Sequence, residues 1–232
     1  MRAKNSNAPD LSTYLRSIKK RFNTALLKWW KKNAREYPWR KPGTSPYEVL
    51  IAEVLLKRTT ATAAERIFNK ILKAYPDIKS LSTAKSRKLE TLLGPIGLYK
   101  QRAKGLRETA LYLRDKEKGK IPKDLEKLLM VPHIGPYAAR AILSFGYDIP
   151  MAIVDSNVIR VLNCAFSGMI SKKATLGEYQ SVVDILLSRK YHKEFNWALL
   201  DLGAKKCHYS RRACKDCPLI NLCARYKKEF TD

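Results

Sequence analysis

A chain of 232 residues, 45% of them apolar, has room for one large or two small hydrophobic cores. Lysine and arginine outnumber aspartate and glutamate by 46 to 21, a formal charge of +25. On a folded chain such an excess points to polyanionic partners, with a membrane-surface role or plain solubility as the bland alternatives. No apolar run approaches the roughly 20 residues of a membrane span. The opening MRAKNSNAPDLSTYL lacks an apolar signal core, so a cytoplasmic protein without a membrane partner is expected.

Residues 1–9 are polar and expected to be loose. Asp10 is a helix N-cap candidate, and Leu11, Tyr14, Leu15, Ile18, Phe22, Leu26, Trp29 and Trp30 follow at helical spacing. Tyr37 to Gly43 is turn-rich, readable as a packed aromatic linker or as a DNA-facing one. Pro46 to Leu56 predicts a mostly buried helix, broken by Lys57-Arg58-Thr59-Thr60. Glu53 in that helix is expensive to bury unpaired, which places it at a cavity wall or on a solvated edge. Further helices are predicted over Ala61–Tyr75, Ser82–Leu93, Lys100–Lys116, Lys123–Met130, Tyr137–Phe145, Asn157–Phe166, Thr175–Ser188 and Phe195–Leu202. No alternating strand pattern and no repeat is apparent, so the fold class expected is all-α with about ten helices.

Two stretches carry chemistry. In the first, Pro132, Gly135 and Pro136 break an apolar run that is helical on both sides, making VPHIG a hairpin whose backbone N–H groups can face an anion. Asp155 follows twenty residues after Gly135 and directly precedes the helical SNVIRVL, where it also reads as an N-cap. In the second, Cys207, Cys214, Cys217 and Cys223 are spaced Cys-x6-Cys-x2-Cys-x5-Cys. Four thiolates in one compact loop favour a cubane iron–sulfur cluster over zinc, whose sites pair close cysteines across a longer loop. Cys164, on an apolar helix, reads as a core residue. Arg211, Arg212 and Lys215 suit phosphate contact, a merely solvated basic loop being the alternative.

Val131-Pro132-His133-Ile134-Gly135 resembles the hairpin of the helix-hairpin-helix, endonuclease III-like DNA glycosylases, and Ile153 to Asn157 resembles the segment carrying their essential aspartate. The cysteine spacing is similar to their [4Fe–4S] loop. The resemblance extends from about Tyr37 to Ala224. It implies two helical lobes flanking a DNA-binding cleft. One lobe would be a six-helix domain, 42–149, holding the hairpin at about 123–145; the other would join 1–41 to 150–232 and hold the cluster.

For the reaction, the resemblance implies flipping of a base out of duplex DNA and stabilisation of the charged sugar by Asp155, with Asn157 supporting the sugar or the attacking water. Arg58 and Leu98 match the wedge positions, Leu98 being otherwise a packed loop residue, and His133 and Gly135 belong to the DNA-gripping hairpin. Members that also cut the backbone carry a lysine at the position of Tyr137; a tyrosine implies attack by water and an abasic product. The combination of Ala52 to Thr60 with Gly135-Pro136-Tyr137 looks most like the archaeal thymine/uracil mismatch glycosylases. There Glu53 would orient water or hold the base edge, and a monomer is expected to act on duplex DNA bearing a mismatched or deaminated base. The adenine glycosylases share the glutamate but differ at Tyr137 and carry a further domain, which is not expected in a sequence continuing nine residues past Cys223. An oxidised-pyrimidine specificity and a non-catalytic DNA-binding module are the remaining alternatives.

Overall fold

The computed structural model describes residues 10–208 and 214–230; among them the regular structure is helical, without strands. The chain divides into two compact units, Met1–Arg35 with Pro150–Asp232, and Glu36–Ile149.

The first unit is built on α1 (Leu11–Asn33). Asp10 caps it by accepting from the Ser12 amide at 3.2 Å, and Leu15, Ile18, Phe22 and Leu26 fall on one face and are buried. Against that face pack residues of α9 (Ser156–Ala165), α10 (Leu176–Leu186) and α11 (His192–Lys205). Phe22 stacks on Phe166 at 6.1 Å and meets Phe195 at 6.5 Å, which fixes the centre of this core. α12 (Ala224–Phe230) closes the unit.

One buried charge holds its perimeter. Asp201 of α11, fully buried, accepts from Trp30 Nε1 at 3.1 Å, from the Arg35 amide at 3.0 Å and from Arg35 Nε at 2.6 Å. Asp201→Ala removes the acceptor of Arg35 Nε, of the Arg35 amide and of the indole N–H. Arg35 keeps 27% of its side chain in solvent, so the cost falls at the low end for a broken buried pair, about 3 kcal/mol. A urea-unfolding shift below about 1 kcal/mol would show the pair to be dispensable.

The second unit begins with a 3-10 turn, Pro38–Arg40, that buries Trp39 edge-on against Phe68 at 5.3 Å with Tyr37 stacked on it at 5.0 Å. The aromatic connector is therefore packed. α2 (Pro46–Leu56) starts in a capping box between Ser45 and Glu48 and buries Val49, Leu50, Ile51, Ala52 and Leu55. α3 (Ala61–Ala74), α5 (Ser86–Leu93) and α6 (Tyr99–Lys116) follow the expected segments.

Three helices depart from expectation. α4 (Ile78–Ser82) was not anticipated: Asp77 caps it immediately after Pro76 through the Ser80 amide at 2.7 Å, and those hydrogen bonds hold the Asp77 carboxyl below the usual range. The helix predicted over Ser82–Leu93 starts only at Ser86, Ser82 being the last residue of α4. α11 starts at His192 and runs to Lys205, longer than Phe195–Leu202, and α12 had no counterpart. α7 (Leu125–Met130) and α8 (Pro136–Ala141) flank the hairpin, and α8 runs into a π turn, Ile142–Gly146. Gly146 is required there, because a Cβ would stand 2.6 Å from the Pro46 Cα at the start of α2.

Candidate active site and cluster loop

In the second unit the hairpin turns through Val131–Gly135. Leu128, Val131, Ile134 and Ala139 are buried beneath it, whereas His133, Gly135 and Pro136 face outward. The left-handed residue of the turn is His133, at φ 68°, and not Gly135, at φ −93°. A histidine held there needs outside support. α6 supplies it: Gly105 leaves room for the imidazole, whose Cγ would lie 3.4 Å from a Cβ at that position, and Glu108 takes the ring Nε2 at 2.6 Å. Thr109 donates to the Pro132 carbonyl at 2.7 Å, pinning the same turn from below.

The His133 hydrogen bond, chiefly, holds the Glu108 carboxyl below its usual range, with Lys104 adding to the effect. A lowered folded-state value means that the contribution is present above the ordinary glutamate range, about pH 4.3, and is lost as pH falls through the lower value. The difference in thermal stability between the parent and Glu108→Gln should therefore persist near neutrality and shrink in acid. A difference independent of pH would remove the carboxylate from the account.

Arg58 and Leu98 also stand at positive φ, 59° and 49°, both outward, Leu98 45% exposed. One buried residue holds both loops. Arg102 of α6 donates from Nε to the Gly97 carbonyl at 3.0 Å, from Nη1 to those of Val54 at 2.5 Å and Leu55 at 3.3 Å, and from Nη2 to the Lys57 carbonyl at 2.6 Å and Thr59 Oγ1 at 2.5 Å. Its guanidinium thus caps the C-terminal end of α2 and clamps the segments on either side of Arg58 to the residue before Leu98. Sequence reasoning missed Arg102, since one arginine among many in α6 carries no local mark. Glu53 and Tyr137, both half-buried, lie in this unit on α2 and α8.

In the first unit Asp155 is the N-cap of α9. Its Oδ1 accepts from the Val158 amide at 2.8 Å and its Oδ2 from Asn157 Nδ2 at 2.7 Å, so the carboxylate is fixed at both oxygens. Asn157 is itself held, its Oδ1 accepting from Arg160 Nη2 at 2.8 Å. Arg160 goes on to donate to the Gly203 carbonyl at 2.6 Å and to the Cys207 carbonyl. A continuous chain of hydrogen bonds therefore runs from the Asp155 carboxylate to the first cysteine of the C-terminal loop. Gly203 permits it, since a Cβ there would stand 2.7 Å from the Asn157 Cβ. Arg160 and Gly203 were not singled out from sequence; their signal lies in contacts more than forty residues apart.

Cys207, Cys214, Cys217 and Cys223 line one small cavity. Burial pushes the Cys217 thiol up to about 11, and burial also raises Cys223; at Cys207 a hydrogen bond with Cys164 and burial both raise it. Thiols this reluctant to ionise become thiolates when a cation offsets the charge. Among the described residues no three His, Cys, Asp or Glu side chains converge as ligands of a single ion would. Thiols set apart around a cavity fit the donor set of a cubane, in which each iron takes one thiolate. Cys164 is buried as a core residue, as its helix led one to expect, and it also lines this cavity. Lys215 is exposed beside the loop, and Arg211 and Arg212 lie outside the described residues. No described helix is long and apolar enough to cross a membrane.

Residues 51–180 match the family described as HhH-GPD superfamily base excision DNA repair protein. A thymine/uracil-DNA glycosylase of Pyrobaculum aerophilum is 33% identical over 215 residues, covering 90% of this chain and 93% of that protein. An adenine DNA glycosylase of Mycobacterium tuberculosis is 33% identical over 199 residues, covering 85% of this chain and 65% of that protein. The solved structure of a thermostable thymine-DNA glycosylase superposes with a TM-score of 0.86 at 27% identity, covering 94% of this chain and 100% of that one.

Proposed function

Because the chain belongs to the HhH-GPD superfamily of base excision DNA repair proteins, we propose that it is a DNA glycosylase releasing thymine or uracil mispaired with guanine in double-stranded DNA. The observation that carries this reading is the Asp155 carboxylate, immobilised at both oxygens by the Val158 amide and Asn157 at the start of α9. Similarity to thymine and thymine/uracil glycosylases over nine-tenths of the chain supports the substrate.

The target nucleotide is flipped out of the stack, which is cheaper from a G·T or G·U pair than from a matched one. Arg58 and Leu98, outward-facing on loops clamped by Arg102, fill the space it leaves, while the outward turn around His133 and Gly135, with Lys215, Arg211 and Arg212, holds phosphates. The N-glycosidic bond breaks with its electron pair leaving on the pyrimidine, and positive charge grows on the sugar. Asp155 stabilises that charge, and its rigidity makes the stabilisation preorganised. Water adds at the sugar carbon and gives up a proton, yielding free base and abasic site. Asn157 supports the sugar or the water, and Glu53 orients the water or holds the base edge.

Tyr137 stands on the hairpin helix, at the position that by resemblance carries the lysine in members that form a Schiff base. A phenol is a poor nucleophile beside an amine, so the reaction stops at the abasic site and the enzyme is monofunctional. Cys207, Cys214, Cys217 and Cys223 hold a [4Fe–4S] cluster, which when bound cross-links the C-terminal loop. The enzyme acts as a cytoplasmic monomer on chromosomal DNA.

The test is single-turnover incubation with end-labelled duplexes containing G·T, G·U, A·T or A·8-oxoguanine, read with and without hot alkali. Strand breaks at G·T and G·U only after alkali are expected. Breaks without alkali would overturn the monofunctional reading. Release of adenine alone would favour the second reading, an adenine glycosylase, which Glu53 and the mycobacterial relative also fit.

A further inference from the structure

The loop provides four cysteines, and a cubane requires one thiolate for each of its four irons. The cavity they line has a fifth thiol. Cys164, on the last turn of α9 and 8% exposed, faces the same space as Cys207, Cys214, Cys217 and Cys223. Its backbone carbonyl accepts from Cys223 Sγ at 3.3 Å, and Cys207 Sγ donates to the Arg160 carbonyl at 3.8 Å, one turn before Cys164 on the same helix.

Packing alone does not explain this placement. A small apolar side chain would fill the end of α9 equally well, and Val161 and Ala165 of the same helix already do so along the cavity wall. A sulfur that shares the ligands' cavity, on the turn of helix against which Cys207 Sγ lies, is placed for metal coordination. A helix position also supplies that sulfur from a rigid element, whereas the four loop cysteines sit on irregular backbone.

We propose that Cys164 is a reserve cluster ligand, taking the iron of Cys207 when that residue is lost. In the exchange the bond between iron and the Cys207 sulfur is absent, the Cys164 thiol releases its proton to solvent, and the resulting thiolate bonds to the vacant iron. No change of oxidation state is involved. The inference rests on the cluster reading above and is independent of which base the enzyme removes.

The experiment compares the full chain with its Cys164→Val, Cys207→Ser and doubly substituted forms, purified without oxygen. Iron and sulfide per chain, and the cluster's visible charge-transfer absorption, are the readouts, with far-ultraviolet circular dichroism confirming that each form is folded. The parent and Cys164→Val should carry a full cluster, Cys207→Ser most of one, and the double variant little or none. Loss of iron from Cys207→Ser as complete as from the double variant would overturn the proposal, as would retention by both. Loss from Cys164→Val alone would make Cys164 a structural requirement and overturn it equally. A parent protein that binds no iron at all would instead refute the cluster reading, so the two failures are distinguishable.

Discussion

Asp155→Asn is expected to lower the single-turnover rate of base release by about 10²- to 10³-fold, the scale of removing one preorganised electrostatic stabiliser. Asparagine caps helices about as well as aspartate, so α9 should keep its start through the Val158 amide. What it cannot do is present a negative charge to the sugar. Its amide nitrogen would also face that of Asn157, which now donates to Asp155 Oδ2 at 2.7 Å. Affinity for mismatched duplex should stay within a few-fold of the parent or tighten slightly, because a negative charge has been removed near a polyanion. Anisotropy titration alongside the rate measurement separates the two effects. A rate within tenfold of the parent would take Asp155 out of the chemistry and leave it as a helix cap alone.

Arg102→Met should be the most damaging single change in the second unit. Five oxygens lose their donor at once, and the site is 6% exposed, so water cannot replace all of the lost bonds. At roughly 1 kcal/mol per partly compensated acceptor, the loss is on the order of 5 kcal/mol. The two left-handed residues, Arg58 and Leu98, would lose the clamp between their loops and relax toward ordinary conformations. Excision from G·T should therefore fall even where the variant remains folded, through weaker base extrusion. Arg102→Lys should recover only part of the stability, since a single ammonium cannot span acceptors that a guanidinium reaches from three nitrogens. Urea midpoints for both variants check the ledger; a loss under about 1 kcal/mol for methionine would show that the loops are held by other contacts.

Much of the fold is legible in the sequence because helices announce themselves locally. Asp10 and Asp155 marked their helices as caps, the stripe from Leu15 to Leu26 marked a buried face, and Pro132, Gly135 and Pro136 marked the hairpin. The miss at α4 has a local cause as well. Asp77 followed by Ser80 is a capping box, but a proline directly before it reads as a break between helices. The family was legible for a related reason: a hairpin and an aspartate are short-range signatures, and residues 51–180, which include both, match the superfamily.

What the sequence by itself determined is most of the helical inventory and the basic character, and it nominated Asp155, Tyr137 and the loop cysteines as candidates for the chemistry. What only the tertiary structure decided is who holds whom. Glu108 supports His133 across 25 positions, Arg102 reaches Val54 across 48, and Arg160 reaches Cys207 across 47. Cys164 shows the reason most directly. Its helical spacing says that it lies on an inward face of α9, and an inward cysteine is by default part of the core. Periodicity reports which side chains share a face, but not which distant segment covers that face. That depends on packing between elements far apart in the chain, and here the covering segment is a loop of four other cysteines.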